Sequence, residues 1–348
     1  MKRHRLQITL NDIAKELNVS VVTVSKALRD HPDISERTKQ RIKKFANELG
    51  YTPNFSARNL SSRRSNTIGL IVPKIGNFFF PSLIKSIYKA ANFQNYDVIL
   101  MISYDDAENE NRHLKTLLSM RVDGLLVAIS EKTTDIQIYE TIKKTGIPLV
   151  FFDRVIEGPE FSYVKIDDRQ GACLAVEHAI NTGYKRIAHL AGFKEINIGR
   201  DRCAGFVDAM KKHNLPVPEN WIIEGSLNEE AGYNGFMKLC QNKNLPEIIL
   251  TVTFSVAIGV FQAAIDLGLK IPEDIDVICI GEGPINPFAS PSLSCVYQPI
   301  DEMGTKVVEV LIRQIQNLAA VPEQIILPPK LKVRETFVRQ DEMAFPKR

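Results

Sequence analysis

The sequence predicts a small all-α helix-turn-helix head followed by a larger α/β core of two lobes. Three observations carry this. Residues 8–49 place apolar side chains at helical spacing behind capping residues, whereas from Thr67 onward short apolar runs alternate with amphipathic helical stretches. Charge divides along the same line. Residues 1–65 hold 14 Lys+Arg against 6 Asp+Glu, a balance of +8, while the remainder holds 30 against 35, a balance of −5. A basic head on a mildly acidic body points to a polyanionic partner for the head alone. With 348 residues and 44% apolar content the chain has room for two or three domains and a large core, which excludes a disordered protein.

In the head, Thr9 with Asp12 three residues on predicts a capping-box start, and Ile13, Ala14 and Leu17 define the buried face of a first helix. Asn18-Val19-Ser20 forms the turn, and Ser20 caps a second helix. That helix turns Val24, Ala27 and Leu28 inward and presents Val21, Val22, Thr23, Ser25 and Lys26. Such a helix can enter the DNA major groove; the alternative is an ordinary helical hairpin inside a core. After the loop at His31-Pro32-Asp33, Ser35 caps a third helix over Glu36–Leu49, ended by Gly50. Its Ile42, Phe45, Ala46 and Leu49 close a three-helix core over residues 1–52. Residues 53–66 read as a short hinge segment and basic linker, in which Leu60 beside Arg58 fits a minor-groove wedge or, alternatively, a plain linker with a surface leucine.

Residues 67–340 form the core. Strands are expected at 67–72, 96–102, 122–129, 148–152, 163–166, 186–191, 247–251, 276–280 and 294–297, with helices at 81–94, 108–120, 135–144, 168–181, 200–213, 229–240, 256–267 and 301–317 between or after them. This βαβ series is too long for one compact sheet, so two doubly wound, Rossmann-like units with a ligand crevice between them are expected. Lobe 1 is assigned to about 67–166 and 297–323, and lobe 2 to about 167–294 and 324–340, with late strands near 324–328 and 331–338.

The five cysteines are widely spaced and form no C-x-x-C pair, so reduced thiols in a cytoplasmic protein are expected. Met1–Arg5 is basic but no apolar run follows it, which argues against a signal peptide, and no stretch reaches transmembrane length. Phosphate-loop, dinucleotide, zincin and nucleophile-elbow motifs are absent from the sequence. The six histidines are scattered without metal-ligand spacing. An enzyme is therefore not expected, nor any cofactor.

These residues resemble the lactose-repressor (LacI) family of bacterial transcription regulators. The resemblance rests on T-L-x-D-I-A-x-x-L-x-V-S-x-x-T-V-S-x-A-L (9–28), L-G-Y-x-P-N (49–54), A-R-x-L (57–60), V-D-G-L-L-V (122–127), F-D-R (152–154), R-x-x-G-F (202–206) and Q-P-x-x-E-M-G (298–304). It implies a helix-turn-helix head, a hinge helix and a periplasmic-binding-protein-like core, acting as a DNA-binding repressor. It also implies a homodimer reading a near-palindromic double-stranded operator, with no membrane partner. Carried over by motif, Val21, Val22 and Lys26 face base edges; the valines, lacking hydrogen-bonding groups, suit thymine methyls. Thr9, Ser20, Thr23 and Ser25 contact phosphates, Asn54, Ala57 and Arg58 line the minor groove, and Leu60 is the wedge.

A small-molecule effector of sugar-related chemistry is implied between the lobes, at Asp153, Arg202, Phe79 and Phe80. Asp153 and Arg202 could equally pair with each other, and the phenylalanines could be core. Two departures stand out: Thr253-Phe254 replaces the family's usual N-D, and Gly281-Glu282-Gly283-Pro284 replaces G-F-D-D. Two polar ligands are lost, with Glu282 a candidate substitute, so a less polar pocket is expected. The rival within the same fold is a sugar-binding transport protein with no DNA role.

Overall fold

The computed structural model describes residues 8–51, 64–76, 78–241, 245–283, 290–317 and 319–337. They form two compact units, residues 1–65 and 66–348.

In the first unit, α1 (Leu10–Leu17), α2 (Val21–Leu28) and α3 (Glu36–Glu48) enclose Ile13, Ala14, Leu17, Val24, Ala27, Ile42 and Ala46. The caps form as expected. Thr9 Oγ1 accepts from the Asp12 N–H at 3.4 Å while Asp12 Oδ2 accepts from the Thr9 N–H at 2.8 Å, a reciprocal capping box. Ser20 Oγ accepts from the Thr23 N–H at 3.0 Å. Asn18 ends α1 with φ at 51°, a left-handed conformation that asparagine tolerates and that turns the chain sharply into α2.

The second unit holds two six-stranded sheets. Lobe 1 contains β1 (Thr67–Val72), β2 (Asp97–Ile102), β3 (Gly124–Val127), β4 (Leu149–Phe152), β5 (Ser162–Ile166) and β11 (Gln324–Leu327), in the order β11-β5-β4-β3-β1-β2. Lobe 2 contains β6 (Ile187–Gly192), β7 (Ile222–Gly225), β8 (Ile248–Thr251), β9 (Asp276–Ile280), β10 (Ser294–Tyr297) and β12 (Lys330–Lys332), in the order β12-β10-β9-β8-β6-β7. Apart from β10 with β12, every named strand pair is parallel. Strands buried on both faces carry unbroken apolar runs for that reason, as in TIGLIV of β1 and LVFF of β4.

The helices are α4 (Phe79–Phe93), α5 (Ala107–Ser119), α6 (Gln137–Lys144), α7 (Asp168–Asn181), α8 (Asn197–Lys212), α9 (Glu229–Cys240), α10 (Phe254–Asp266) and α11 (Ile300–Gln316). The segment 324–327, expected in lobe 2, pairs with β5 from Gln324↔Tyr163 to Leu327↔Ile166, so it completes lobe 1. Its Leu327 is buried with the lobe 1 core, in one cluster with Val164 and Ile166 of β5. The late strand expected over 331–338 is shortened to Lys330–Lys332, because the backbone beyond it turns to other partners: the Phe337 N–H donates to both carboxylate oxygens of buried Asp276 at 2.8 Å. Strand β7 was not anticipated, since its four residues, IIEG, carry too short a pattern.

Candidate functional site

On the head, the start of α2 is exposed: Val21 is 38% and Val22 63% accessible, although both are apolar. Ser20 and Thr23 sit on the same end, their hydroxyls 2.8 Å apart. Ser25 Oγ accepts from Arg29 Nη2 at 3.0 Å, and Lys26 Nζ donates to Asp33 Oδ2 at 2.6 Å. The Lys26 hydrogen bond holds the Asp33 carboxyl below its ordinary pKa. Thr9 lies at the opposite end of the motif, with its hydroxyl donating to Asp12. Asn54, Ala57, Arg58 and Leu60 lie outside the described residues.

Between the lobes is a cavity of about 60 Å³. All the core residues expected around an effector line it: Phe79, Phe80, Asp153, Arg202, Thr253, Phe254 and Glu282. The elements explain their placement. Asp153 and Arg154 follow β4 at its carboxyl end, Thr253 and Phe254 open α10 after β8, Glu282 follows β9, and Arg202 comes from α8. Carboxyl ends of parallel strands are where such folds place ligands.

The individual roles differ from a simple transfer of motif positions. Arg202, 2% exposed, does not pair with Asp153; its Nε and Nη2 both lie 2.7 Å from Asp168 Oδ1, and its Nη1 donates to the Val252 carbonyl. Asp153 is 6% exposed and makes no side-chain hydrogen bond to a described residue. Burial pushes its carboxyl up to about 6, against the pull of Arg202 and Arg154. Its φ of 57° is left-handed, a strained conformation for a residue other than glycine. Thr253 caps α10, its Oγ1 accepting from the Val256 N–H at 3.3 Å. Glu282 is engaged within lobe 2, by Lys332 Nζ at 2.9 Å and by Arg334 Nη2. Its charge is thereby balanced, and it is not a free replacement for the missing polar ligands.

Three polar lining residues were missed: Arg154, Ser255 and Gln298. Gln298 is 5% exposed and its amide has no hydrogen-bond partner among the described residues. Arg154 is 3% exposed, lies over the Phe80 ring at 5.7 Å and leaves its Nε unbonded. Arg154 belongs to the F-D-R motif and Gln298 to Q-P-x-x-E-M-G, and this was the available signal for them. The remaining wall includes Phe78, Ile198, Leu227 and Ile280, so apolar side chains form much of the lining. Phe78 of lobe 1 meets Phe254 of lobe 2 edge to face, with ring centroids 6.2 Å apart.

Comparison with known proteins agrees with this architecture. A model described as bacterial regulatory proteins, lacI family, matches residues 9–54, and one for a periplasmic binding protein-like domain matches residues 176–337. The chain is 32% identical over 329 residues to the NTD biosynthesis operon regulator NtdR of Bacillus subtilis (strain 168), covering 94% of this chain and 99% of that protein. It is 29% identical over 332 residues to catabolite control protein A of Priestia megaterium, covering 95% and 99%. The lac repressor dimer bound to operator and the anti-inducer ONPF shares the fold with a TM-score of 0.83 at 24% identity, over 95% of this chain and 99% of that one. Because these matches run through the head as well as the core, a ligand-binding protein without a DNA role is disfavoured.

Proposed function

The chain belongs to the LacI family of bacterial regulatory proteins, and from that premise we propose how its two units divide the work of a DNA-binding transcriptional repressor. The head reads DNA. The observation that carries this is the pair Val21 and Val22, apolar yet exposed at the capped start of α2. Side chains there reach base edges when such a helix enters the major groove, and two methyl-bearing valines suit thymine methyls. Lys26 exchanges its Asp33 partner for a base or phosphate, while Thr9, Ser20, Thr23 and Ser25 set the register on the backbone. Asn54, Ala57, Arg58 and Leu60 serve the minor groove, with Leu60 as wedge. A homodimer presents two heads to a near-palindromic operator.

The cavity binds a small effector. Asp153 and Gln298 supply uncommitted hydrogen-bonding groups and the phenylalanines an apolar face, a combination suited to a molecule less polar than a plain hexose. Effector binding shifts the balance of lobe arrangements and hence the spacing of the heads, with a coupling typical of about 1–3 kcal/mol. No helix among the described residues is long and apolar enough to cross a membrane.

Selection of genomic duplexes by the purified full-length protein tests the reading. Enrichment of near-palindromic sites, lost on replacing Val21 and Val22 by aspartate, is expected. Indifference to every duplex refutes it. Titration calorimetry against a panel of sugars addresses the pocket, where micromolar affinity for a plain hexose contradicts its assigned chemistry.

A further inference from the structure

One carboxylate beside the cavity is tied to both lobes. Glu131 lies just beyond β3 of lobe 1 and is 4% exposed. Its Oε2 accepts from Ser226 Oγ at 2.9 Å and its Oε1 from the Leu227 N–H at 3.2 Å, both in the turn after β7 of lobe 2. On its own lobe, Oε1 stands 3.9 Å from Arg154 Nη2 and 3.9 Å from Lys74 Nζ. The Glu131 N–H donates to Asp105 Oδ1 at 3.1 Å, the oxygen that also receives Arg154 Nη1. Leu227 and Arg154 both line the cavity, from opposite lobes.

The loop bearing Glu131 is rigidly mounted. Fully buried Glu110 accepts from the Ser130 N–H at 2.6 Å, from Ser130 Oγ at 2.7 Å, from Thr133 Oγ1 at 2.9 Å and from Tyr139 OH. Four donors on one buried carboxylate leave the Ser130–Thr133 segment little freedom, so Glu131 cannot follow lobe 2 if the lobes separate. Opening the cleft must break the Ser226 and Leu227 bonds together.

We propose that Glu131 is a positioning residue for the cleft: from its fixed mount in lobe 1 it latches the Ser226–Leu227 turn of lobe 2 and so sets the cavity's Leu227 wall against Arg154. The inference rests on reading the cavity as the effector site. Asn197 adds a second tie between the lobes, its Nδ2 donating to the Asp153 carbonyl and its Oδ1 accepting from the Val155 N–H, each at 2.9 Å. Glu131 differs from Asn197 in carrying a charge.

Hydrogen exchange on the full-length protein, without any ligand, reads the latch at the Leu227 amide. Glu131→Ala is expected to speed exchange there by about tenfold or more, as for loss of a hydrogen bond to a charged acceptor, while the amide of Ile249 inside lobe 2 keeps its wild-type rate. Glu131→Gln keeps one carbonyl acceptor and should fall between. Ser226→Ala removes one donor without opening a core cavity and should raise the rate several-fold, which keeps the test available if the glutamate variants do not fold. An unchanged Leu227 rate in these variants, or an equal rise at Ile249, overturns the proposal. Because no ligand enters the measurement, a failure to find any effector would count against the effector reading and not against the latch.

Discussion

Removing either partner of the Arg202–Asp168 pair should destabilise the core, but only the loss of the arginine should depend on pH. Arg202 is 2% and Asp168 3% exposed, and two guanidinium nitrogens lie 2.7 Å from one carboxylate oxygen. Asp168→Asn leaves a guanidinium that cannot deprotonate, with about 3–5 kcal/mol lost, and the loss should be similar at pH 5 and pH 7.5. Arg202→Leu leaves a buried carboxylate that can escape its penalty by binding a proton. Burial already holds the Asp168 carboxyl above its ordinary value, opposed chiefly by Arg202, so deleting the arginine raises it further. A carboxyl with a raised folded pKa binds more protons folded than unfolded, so stability falls as pH rises through that window. The Arg202→Leu penalty should therefore be small near pH 4.5 and grow toward pH 7.5. Urea titration followed by fluorescence of Trp221, the single tryptophan and a buried lobe 2 residue, measures both. A pH-independent loss in Arg202→Leu, or a loss below about 1 kcal/mol in Asp168→Asn, would refute the reasoning.

Asp153→Asn should remove a carboxyl that titrates at about 6 and cost effector affinity tenfold or more; calorimetric titration of both proteins across pH 5–7.5 checks this. In the wild type the raised carboxyls of Asp153 and Asp276, each at about 6, make the core less stable as pH rises from 4 to 6, and Asp153→Asn should flatten part of that slope in urea titrations. Ser20→Ala should cost the head about 0.5–2 kcal/mol through the lost Thr23 cap, seen as earlier melting of head helicity and weaker duplex binding. Gly283→Ala places a methyl 2.3 Å from the Phe254 ring, so about 1–3 kcal/mol of strain or a displaced ring is expected; unchanged stability and unchanged effector affinity would show that the ring does not close the cavity there.

Much of the molecule was legible in the residues alone. Local rules act through near neighbours, so the Thr9–Asp12 box, the Ser20 cap and the helix bounds at Asp168–Asn181 and Glu229–Cys240 could be read from spacing. Motif resemblance placed the seven core candidates around one cavity. Other features depend on partners far along the chain. Which sheet takes Gln324–Leu327 is decided by hydrogen bonds to β5, some 160 positions earlier, and not by its own pattern. Likewise Arg202 chooses Asp168 over Asp153, and Glu282 is drawn to Lys332 and Arg334. A charged group buries itself beside whichever counter-charge the folded backbone brings within bonding distance, and only the tertiary arrangement determines which one that is.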